Sequence, residues 1–191
     1  IEYPEKTHDV NTDTTLHLLE LARQKNFRLV LASSAAIYGH PETIPINEQS
    51  SKDPTSPYGI DKLSVDQYAQ AYHELYDTET VTLRYFNIYG PRQRGGGYGG
   101  VISIFRDQAL SGEPITVNGD GSQTRDFTYI DDVVAANRTL LTTGAADGEI
   151  LNIGSGDNID IRSLAALVRD RINPDLELSF AQRYDADAEH T

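Results

Sequence analysis

The chain contains no cysteine, no methionine and no tryptophan among its 191 residues. Without cysteine it can form no disulfide, bind no metal through thiolates and use no thiolate nucleophile. The five histidines show no metal-ligand spacing, so we expect no metal site. The sequence also lacks a run of about 18 apolar residues and a charged-then-apolar leader. We therefore expect a cytoplasmic protein without a membrane partner.

Basic residues are scarce. Twenty-nine acidic residues face sixteen basic ones, which gives a formal net charge of −13. Binding to nucleic acid needs a basic surface, so a nucleic-acid partner is excluded. The acidic residues are spread along the chain, as on a solvated surface. A high-salt cytoplasm is one hypothesis for this balance, and an unchanged melting temperature in molar KCl would count against it.

The first half alternates between two hydrophobic periods. Residues 8–25 and 58–76 have helical spacing, with Thr15, Leu18, Leu19 and Ala22 on one face of the first helix. The apolar run 29–32 and the β-rich run 80–86 fit strands buried on both faces. This rhythm predicts an α/β fold with a parallel sheet and helices on its faces.

The second half is less regular. "PITVNGDGSQTRDFTYI" offers two short β-like runs around a Gly-Asp-Gly turn, and "EILNIGSG" and "LELSF" each suggest a strand. Asp131 or Asp132 is expected to cap a helix through Leu141, and Asp160 a helix to about Ile172.

"SPYGIDKLSVDQY" places Tyr58 and Lys62 four residues apart at the start of a helix, so their side chains share a face. An ammonium near a phenol favours the phenolate, which can act as a base. The alternative is a surface pair without chemistry. "LASSAAIYG" ends a buried strand with Ser33 and Ser34, at the sheet edge where ligands of open α/β sheets bind. These serines could equally do no more than end the strand.

Together these stretches resemble the extended short-chain dehydrogenase/reductase family, in its NAD-dependent nucleotide-sugar epimerase/dehydratase branch. "NTDTTLHLLELAR" is similar to the family's N-x-x-G-T helix, although Thr14 replaces the glycine. "LRYFNIYGPRQ", "GDGSQTRDFTYIDDV" and "LNIGSG" are similar to later family segments, in the family's order. The resemblance covers nearly the whole chain.

The resemblance implies the C-terminal part of a Rossmann-type doubly wound parallel sheet, plus a smaller α/β substrate-binding region. Residues 1–94 would belong to the NAD-binding domain and carry the catalytic Ser, Tyr and Lys, and residues 95–191 would mainly bind the nucleotide sugar. The chain begins "IEYPEKTHDVNTDTT", so the first βαβ unit with its glycine fingerprint is expected upstream of residue 1. The helices at about 8–25 and 57–76 resemble those of the family's homodimer interface.

The resemblance also implies roles for single residues. Tyr58 would be the catalytic base and acid, Lys62 would hold the nicotinamide ribose of NAD, and Ser34 would bind the sugar oxygen. Asn11 would support the lysine. The expected cofactor-binding residues are Ser33, Tyr58, Lys62, Tyr85 and Phe86. The expected substrate-binding residues are Ser34, Asn87, Arg125 and Arg183, although "RYDADAEHT" departs from the family's pattern around the last of these.

The residues after Ser34 narrow the reaction. Dehydratases of this family generally carry Thr-Asp-Glu here and decarboxylases Ser-Glu, whereas this chain has Ala35 and Ala36. The resemblance therefore favours inversion at C4 of a UDP-hexose, with UDP-glucose and UDP-galactose as the expected pair. Another enzyme of the family that acts on UDP-glucuronate, N-acetylated sugars or a simple reductase substrate stays open. A truncated, non-catalytic binding module is the other alternative.

"GGGYGG" matches the letters of the dinucleotide fingerprint G-x-G-x-x-G at Gly95, Gly97 and Gly100. The fingerprint needs a buried strand directly before it, but "NIYGPRQR" intervenes. We therefore interpret it as a flexible loop that closes over substrate or as an ordinary surface loop, and not as an NAD site.

Overall fold

The computed structural model describes residues 3–95, 100–182 and 189–191. The helices are α1 Pro4–His8, α2 Thr14–Lys25, α3 Pro57–Tyr76, α4 Val101–Ser111, α5 Ile130–Thr143 and α6 Ile161–Ile172. A π-helical turn, Asp9–Asp13, joins α1 to α2, and a 3-10 helix spans Ala35–Tyr38. The strands are β1 Leu29–Ser34, β2 Thr80–Tyr85, β3 Ile88–Tyr89, β4 Ile115–Asn118, β5 Thr124–Arg125, β6 Thr128–Tyr129, β7 Ile150–Ile153, β8 Ile159–Asp160 and β9 Leu178–Ala181.

The described chain forms two compact units. The first contains residues 1–86 and 131–153, and the second contains residues 87–130 and 154–191. The sequence-based division at 94/95 therefore differs from the structure. The reason is that β7 returns to pair with β2, while Leu140 of α5 packs on Val81 and Leu83. A strand that comes late in the chain thus completes the first unit's sheet.

The first unit is built on a parallel sheet in the order β1-β2-β7. On one face Leu31 packs with Leu19 of α2 and Val65 of α3. On the other face Val81 and Leu83 pack with α5. Each of these buried side chains contributes about 1.5–3 kcal/mol of hydrophobic stabilisation. The prediction of a parallel sheet with helices on both faces is confirmed.

The second unit has its own core. The parallel pair β4–β9 lies with α4 and α6 around the buried side chains of Phe105, Ile115, Val117, Leu164 and Ala165. Two shorter pairings, parallel β3–β6 and antiparallel β5–β8, complete it.

Several local predictions can be compared with these elements. Asp160 caps α6 as expected, since its carboxylate accepts the Ser163 amide at 2.8 Å. The predicted cap at Asp131 or Asp132 is wrong, because α5 already begins at Ile130. Both carboxylates lie in its first turn, where they interact favourably with the helix dipole. Of the four residues on the predicted inner face of α2, Thr15, Leu19 and Ala22 are buried as expected, whereas Leu18 is 41% exposed.

Within residues 3–95, 100–182 and 189–191, no helix is long and apolar enough to cross a membrane. The same part of the chain contains no group of three or more His, Asp or Glu side chains that could hold a metal ion.

Candidate active site

Helix α3 begins with a side-chain cap. The Ser56 hydroxyl accepts the Gly59 amide at 3.1 Å, which satisfies one of the helix's free N–H groups. Pro57 occupies the first turn, where its missing N–H costs nothing. The start of α3 is thereby fixed, and with it the backbone of Tyr58.

Tyr58 and Lys62 meet as their spacing predicts. The Lys62 Nζ lies 5.7 Å from the centroid of the Tyr58 ring. The tyrosine side chain is 43% exposed, so the phenol is accessible from solvent. An exposed phenol with an ammonium beside it has the elements of a proton-transfer site.

Lys62 is also tied to the end of β1. Its Nζ donates a hydrogen bond to the Ala32 carbonyl at 3.0 Å. Burial lowers the pKa of this ammonium, because the charged form loses hydration. The carboxylates of Asp66 and Asp61 act in the opposite direction. The lysine is therefore both held and electrostatically tuned by groups of the first unit.

Gly59 lets α3 approach the turn after β1. A Cβ at this position would lie 2.8 Å from the Ala36 carbonyl oxygen and 3.0 Å from the Pro54 Cβ, closer than real Cβ atoms come to a backbone oxygen. A side chain here would thus push the start of the helix away from Ser34's turn. Sequence reasoning missed this residue, although its place directly after Tyr58 was visible.

The two serines have different environments. Ser33 is buried, and its hydroxyl donates to the Lys62 carbonyl at 3.3 Å. The Ser34 hydroxyl accepts the Ala36 amide at 3.1 Å and so caps the 3-10 helix. Both lie at the carboxyl end of β1, and Ser34 is paired in register with Tyr85 of β2. The structure therefore brings Ser33, Ser34 and Lys62 to one edge of the sheet, with Tyr58 beside the lysine.

Asn11 lies in the π-helical turn, and its side-chain amide donates to the Thr7 carbonyl at 2.9 Å. The hydrogen bond described for Lys62 goes to Ala32 instead. The asparagine's support of the lysine therefore stays a prediction.

A carboxylate next to Lys62 connects α3 to the preceding helices. Asp61 is 4% exposed and accepts hydrogen bonds from His8 Nδ1 at 2.8 Å and Thr12 Oγ1 at 3.2 Å. The same contact raises the pKa of the His8 imidazole. Sequence reasoning did not identify this pair, because its members are 53 positions apart.

Tyr85 is the last residue of β2, the strand next to β1, and Phe86 follows it. The Tyr85 hydroxyl exchanges hydrogen bonds with the Asn137 side chain of α5, and burial raises the pKa of this phenol. The Phe86 side chain is 5% exposed and packs with Ala35, Ile37 and Tyr38. That Tyr85 and Phe86 contact NAD stays a prediction.

Asn87 and Arg125 belong to the second unit. The Asn87 amide donates to the Asp126 carbonyl at 2.7 Å and to the Thr191 hydroxyl at 3.2 Å. Arg125, 9% exposed, donates through Nη1 to the Thr124 carbonyl at 2.8 Å. The structure thus brings Asn87 beside the residue that follows Arg125.

Two predictions lie wholly or partly outside the described residues. Arg183 is outside them, as are residues 96–99 of the glycine-rich loop. Gly95 and Gly100 are described, and Gly100 directly precedes α4.

Known proteins resemble this chain over most of its length. The UDP-glucose 4-epimerase of Mycolicibacterium smegmatis is 36% identical over 159 residues, which is 81% of this chain and 50% of that protein. The structure of a Thermotoga maritima UDP-glucose 4-epimerase with UDP-glucose superposes with a TM-score of 0.94 at 33% identity, covering 100% of this chain and 62% of that one. The Bacillus cereus UDP-glucuronic acid 4-epimerase, solved with UDP-glucuronic acid and NAD, superposes with a TM-score of 0.85 at 31% identity, covering 95% and 57%.

The chain therefore spans about half the length of the curated relatives it matches. The NAD-dependent epimerase/dehydratase family matches residues 1–154. The family match agrees with the parallel sheet of the first unit. The chain belongs to the NAD-dependent epimerase/dehydratase family of extended short-chain dehydrogenases/reductases.

Proposed function

We propose that the natural protein that contains this chain is a nucleotide-sugar 4-epimerase that interconverts UDP-glucose and UDP-galactose. The observation that carries the proposal is the edge of the first unit's sheet. There the lysine beside Tyr58 is anchored to β1, and Ser34 is followed by two alanines. The site has a base and a hydroxyl, but no acidic pair after the serine that could drive loss of water.

Tyr58 would remove the proton of the sugar's 4-hydroxyl as a phenolate and later return it. The Lys62 ammonium lies 5.7 Å from the centroid of the Tyr58 ring, so its positive charge would assist this proton transfer. Ser34 would hydrogen-bond the same sugar oxygen as it changes from hydroxyl to ketone. General acid–base catalysis of this kind contributes about 10² to 10⁴ in rate.

NAD is the family's cofactor, and the residues present fit it. Lys62 offers an ammonium that projects to the carboxyl edge of a parallel sheet, the usual place for a bound nucleotide. Ser33, Tyr58, Lys62, Tyr85 and Phe86 are the proposed cofactor-binding residues. When bound, NAD supplies reversible oxidation at C4.

Asn87 and Arg125 are proposed to bind the sugar nucleotide from the second unit. Arginine's planar guanidinium can hold a diphosphate through two charge-assisted hydrogen bonds. Arg183 is proposed as a further arginine for the diphosphate, and Asn11 as the residue that supports Lys62.

We also propose that the protein is a homodimer through α2 and α3. Each helix leaves apolar side chains in water at helical spacing: Leu18 and Leu21 on α2, and Ile60, Tyr68 and Leu75 on α3. Exposed apolar rows on neighbouring helices favour association with a similar surface. Analytical ultracentrifugation of the natural protein, compared with a Leu21→Glu, Tyr68→Glu variant, tests this; a monomeric wild type would contradict it.

The epimerase proposal is tested by incubating the purified natural protein with a panel of UDP- and dTDP-sugars and separating the products by chromatography. UDP-glucose should give UDP-galactose, and Tyr58→Phe should lose at least a hundredfold in kcat. Tyr76→Phe is the matched control, because it removes a phenolic hydroxyl at the far end of the same helix. Near-normal turnover by Tyr58→Phe would refute the assignment.

The same panel separates the alternatives. Epimerisation of UDP-glucuronate or of an N-acetylated sugar alone would replace the substrate but keep the chemistry. Formation of a stable 4-keto-6-deoxy sugar would identify a dehydratase. Absence of both turnover and bound NAD would favour a non-catalytic binding module.

A further inference from the structure

A completely buried ion pair joins α3 to β2. Arg84 Nε donates to Asp66 Oδ2 at 2.8 Å, and the two side chains are 4% and 2% exposed. Asp66 lies one helical turn after Lys62, on the same face of α3. The pair therefore fixes the turn of the helix that carries the proposed active-site lysine.

The other arm of Arg84 reaches the turn after Ser34. Its Nη1 donates to the Tyr38 hydroxyl at 2.8 Å and to the Glu48 carbonyl at 3.1 Å. The Tyr38 hydroxyl in turn donates to Asn152 of β7 at 2.7 Å. One guanidinium thus links α3, the 3-10 helix after β1 and the long loop before α3, and through Tyr38 it reaches a third strand of the sheet.

An ion pair is a costly way to obtain packing alone. Removing two charges from water carries a desolvation penalty that apolar side chains of similar size avoid, and such replacements are often neutral or stabilising. The guanidinium adds directionality, since its planar group donates hydrogen bonds only along fixed directions.

We propose that Asp66 and Arg84 are positioning residues, which hold Lys62 and Ser34 in place at the sheet edge. The Asp66 carboxylate, one helical turn from Lys62 on the same face of α3, also favours the lysine's charged form. This inference rests on the proposed function for the roles of Lys62 and Ser34. The Ser33 hydroxyl, bonded to the Lys62 carbonyl, connects the same turn of α3 to β1.

The charges around the lysine agree with this role. Asp66 and Asp61 favour the Lys62 ammonium on its own helix, against a dominant effect of burial. Burial raises the pKa of Asp66. The Ser33 hydroxyl, Arg84 from β2 and Lys52 from the loop act in the opposite direction and favour the carboxylate. Tyr38, whose hydroxyl accepts a hydrogen bond from Arg84, has its pKa raised by burial. His8 contacts Asp61, the residue before Lys62.

The test uses the natural protein with the double substitution Asp66→Asn, Arg84→Met, which removes both buried charges together and so avoids leaving one unpaired. The pKa of Lys62 is measured by NMR of isotope-labelled lysine, with the signal assigned from Lys62→Arg. We expect this pKa to fall, because Asp66, one helical turn from Lys62, is the member of the pair whose charge acts on the lysine. The basic limb of the kcat/KM profile should move to lower pH, and kcat should fall about tenfold or more with little change in KM.

Two further variants separate positioning from stability. Asp147→Asn disrupts the Arg28–Asp147 contact at the amino end of the same sheet, where the closest nitrogen–oxygen distance is 3.6 Å, and should leave the Lys62 pKa and the pH profile unchanged. Asp66→Glu keeps the charge and should restore at least part of kcat. If the double variant loses melting temperature but keeps the wild-type Lys62 pKa and pH profile, the pair is merely structural and the inference is overturned.

The lysine titration also distinguishes the two proposals. If the wild type turns over no UDP-sugar, the proposed function fails, while a lowered Lys62 pKa in the double variant still supports the electrostatic link. If the wild type is an active epimerase and the double variant matches it in pKa, pH profile and kcat, only the positioning role fails.

Discussion

The two units hold their proposed functional residues in different ways. In the first, Ser34 and Lys62 lie on β1 of six residues and α3 of twenty, which are regular elements joined by a buried charge pair. In the second, Asn87 precedes a two-residue strand and Arg125 ends another. Arg125's strand is bordered by the segment 189–191, through bonds such as Thr124 N to the Glu189 carbonyl at 2.9 Å. The proposed catalytic residues thus lie on long regular elements, whereas the proposed substrate contacts lie on short segments that depend on distant partners.

The same substitution in both units gives the largest expected contrast. Asp66→Asn should lower the free energy of unfolding by about 3–5 kcal/mol, because it leaves Arg84 buried and unpaired. Asp126→Asn removes a carboxylate charge that binds the Ser155 and Gly156 amides on a more exposed loop, and should cost about 1 kcal/mol. Urea unfolding measures both, and equal losses would erase the contrast.

Gly59→Ala tests the close approach in the first unit. The new methyl would meet the Ala36 carbonyl, so the start of α3 must shift away from Ser34. We expect kcat to fall about a hundredfold, since small misplacements of reacting groups are costly. Gln67→Ala, at an exposed position of the same helix, is the control. A Gly59→Ala enzyme with normal kcat would show that this contact does not position Tyr58.

In the second unit a substitution should act on binding rather than on chemistry. Arg125→Ala should raise KM for the sugar nucleotide about ten- to a hundredfold, the value of a charged hydrogen bond to phosphate. The value of kcat should change little if the arginine binds ground state and transition state equally. Steady-state kinetics decide this, and a loss confined to kcat would move Arg125 from the binding group to the catalytic one.

The smallest expected effect concerns pH and the first unit's helices. The His8 pKa is raised in the folded protein, chiefly by its hydrogen bond to Asp61. The resulting stabilisation is therefore fully present below the unfolded pKa, near 6.5, and is lost as pH rises through the folded pKa. The melting-temperature difference between wild type and His8→Gln should shrink from pH 5.5 to 8.5. A constant difference would mean that the imidazole's charge contributes nothing.

The sequence predicted most of what depends on local pattern. Helix α3, the strands of the first sheet and the Asp160 cap follow from periodicity and short-range hydrogen bonding. The Tyr58–Lys62 contact follows from helical spacing. The sequence did not predict that residues 131–153 belong to the first unit, because this depends on β7 pairing with a strand about 70 positions earlier.

The residues proposed to position the site were likewise not identified from the sequence. Asp66 and Arg84 are ordinary charged residues 18 positions apart, and only the fold shows that both are buried. Gly59 lies within the Tyr58–Lys62 motif, but the need for a glycine there comes from the Ala36 carbonyl, which belongs to another element. Contacts between elements are therefore what the sequence pattern could not supply.

The central claim is that C4 of a UDP-hexose is oxidised and reduced again in one site around Tyr58. Its most direct test is to convert UDP-glucose carrying deuterium at C4 with the natural protein in ordinary water and to examine the UDP-galactose by mass spectrometry and NMR. We predict that the product keeps the deuterium at C4. A product with hydrogen from water at C4, or no UDP-galactose at all, would contradict the account.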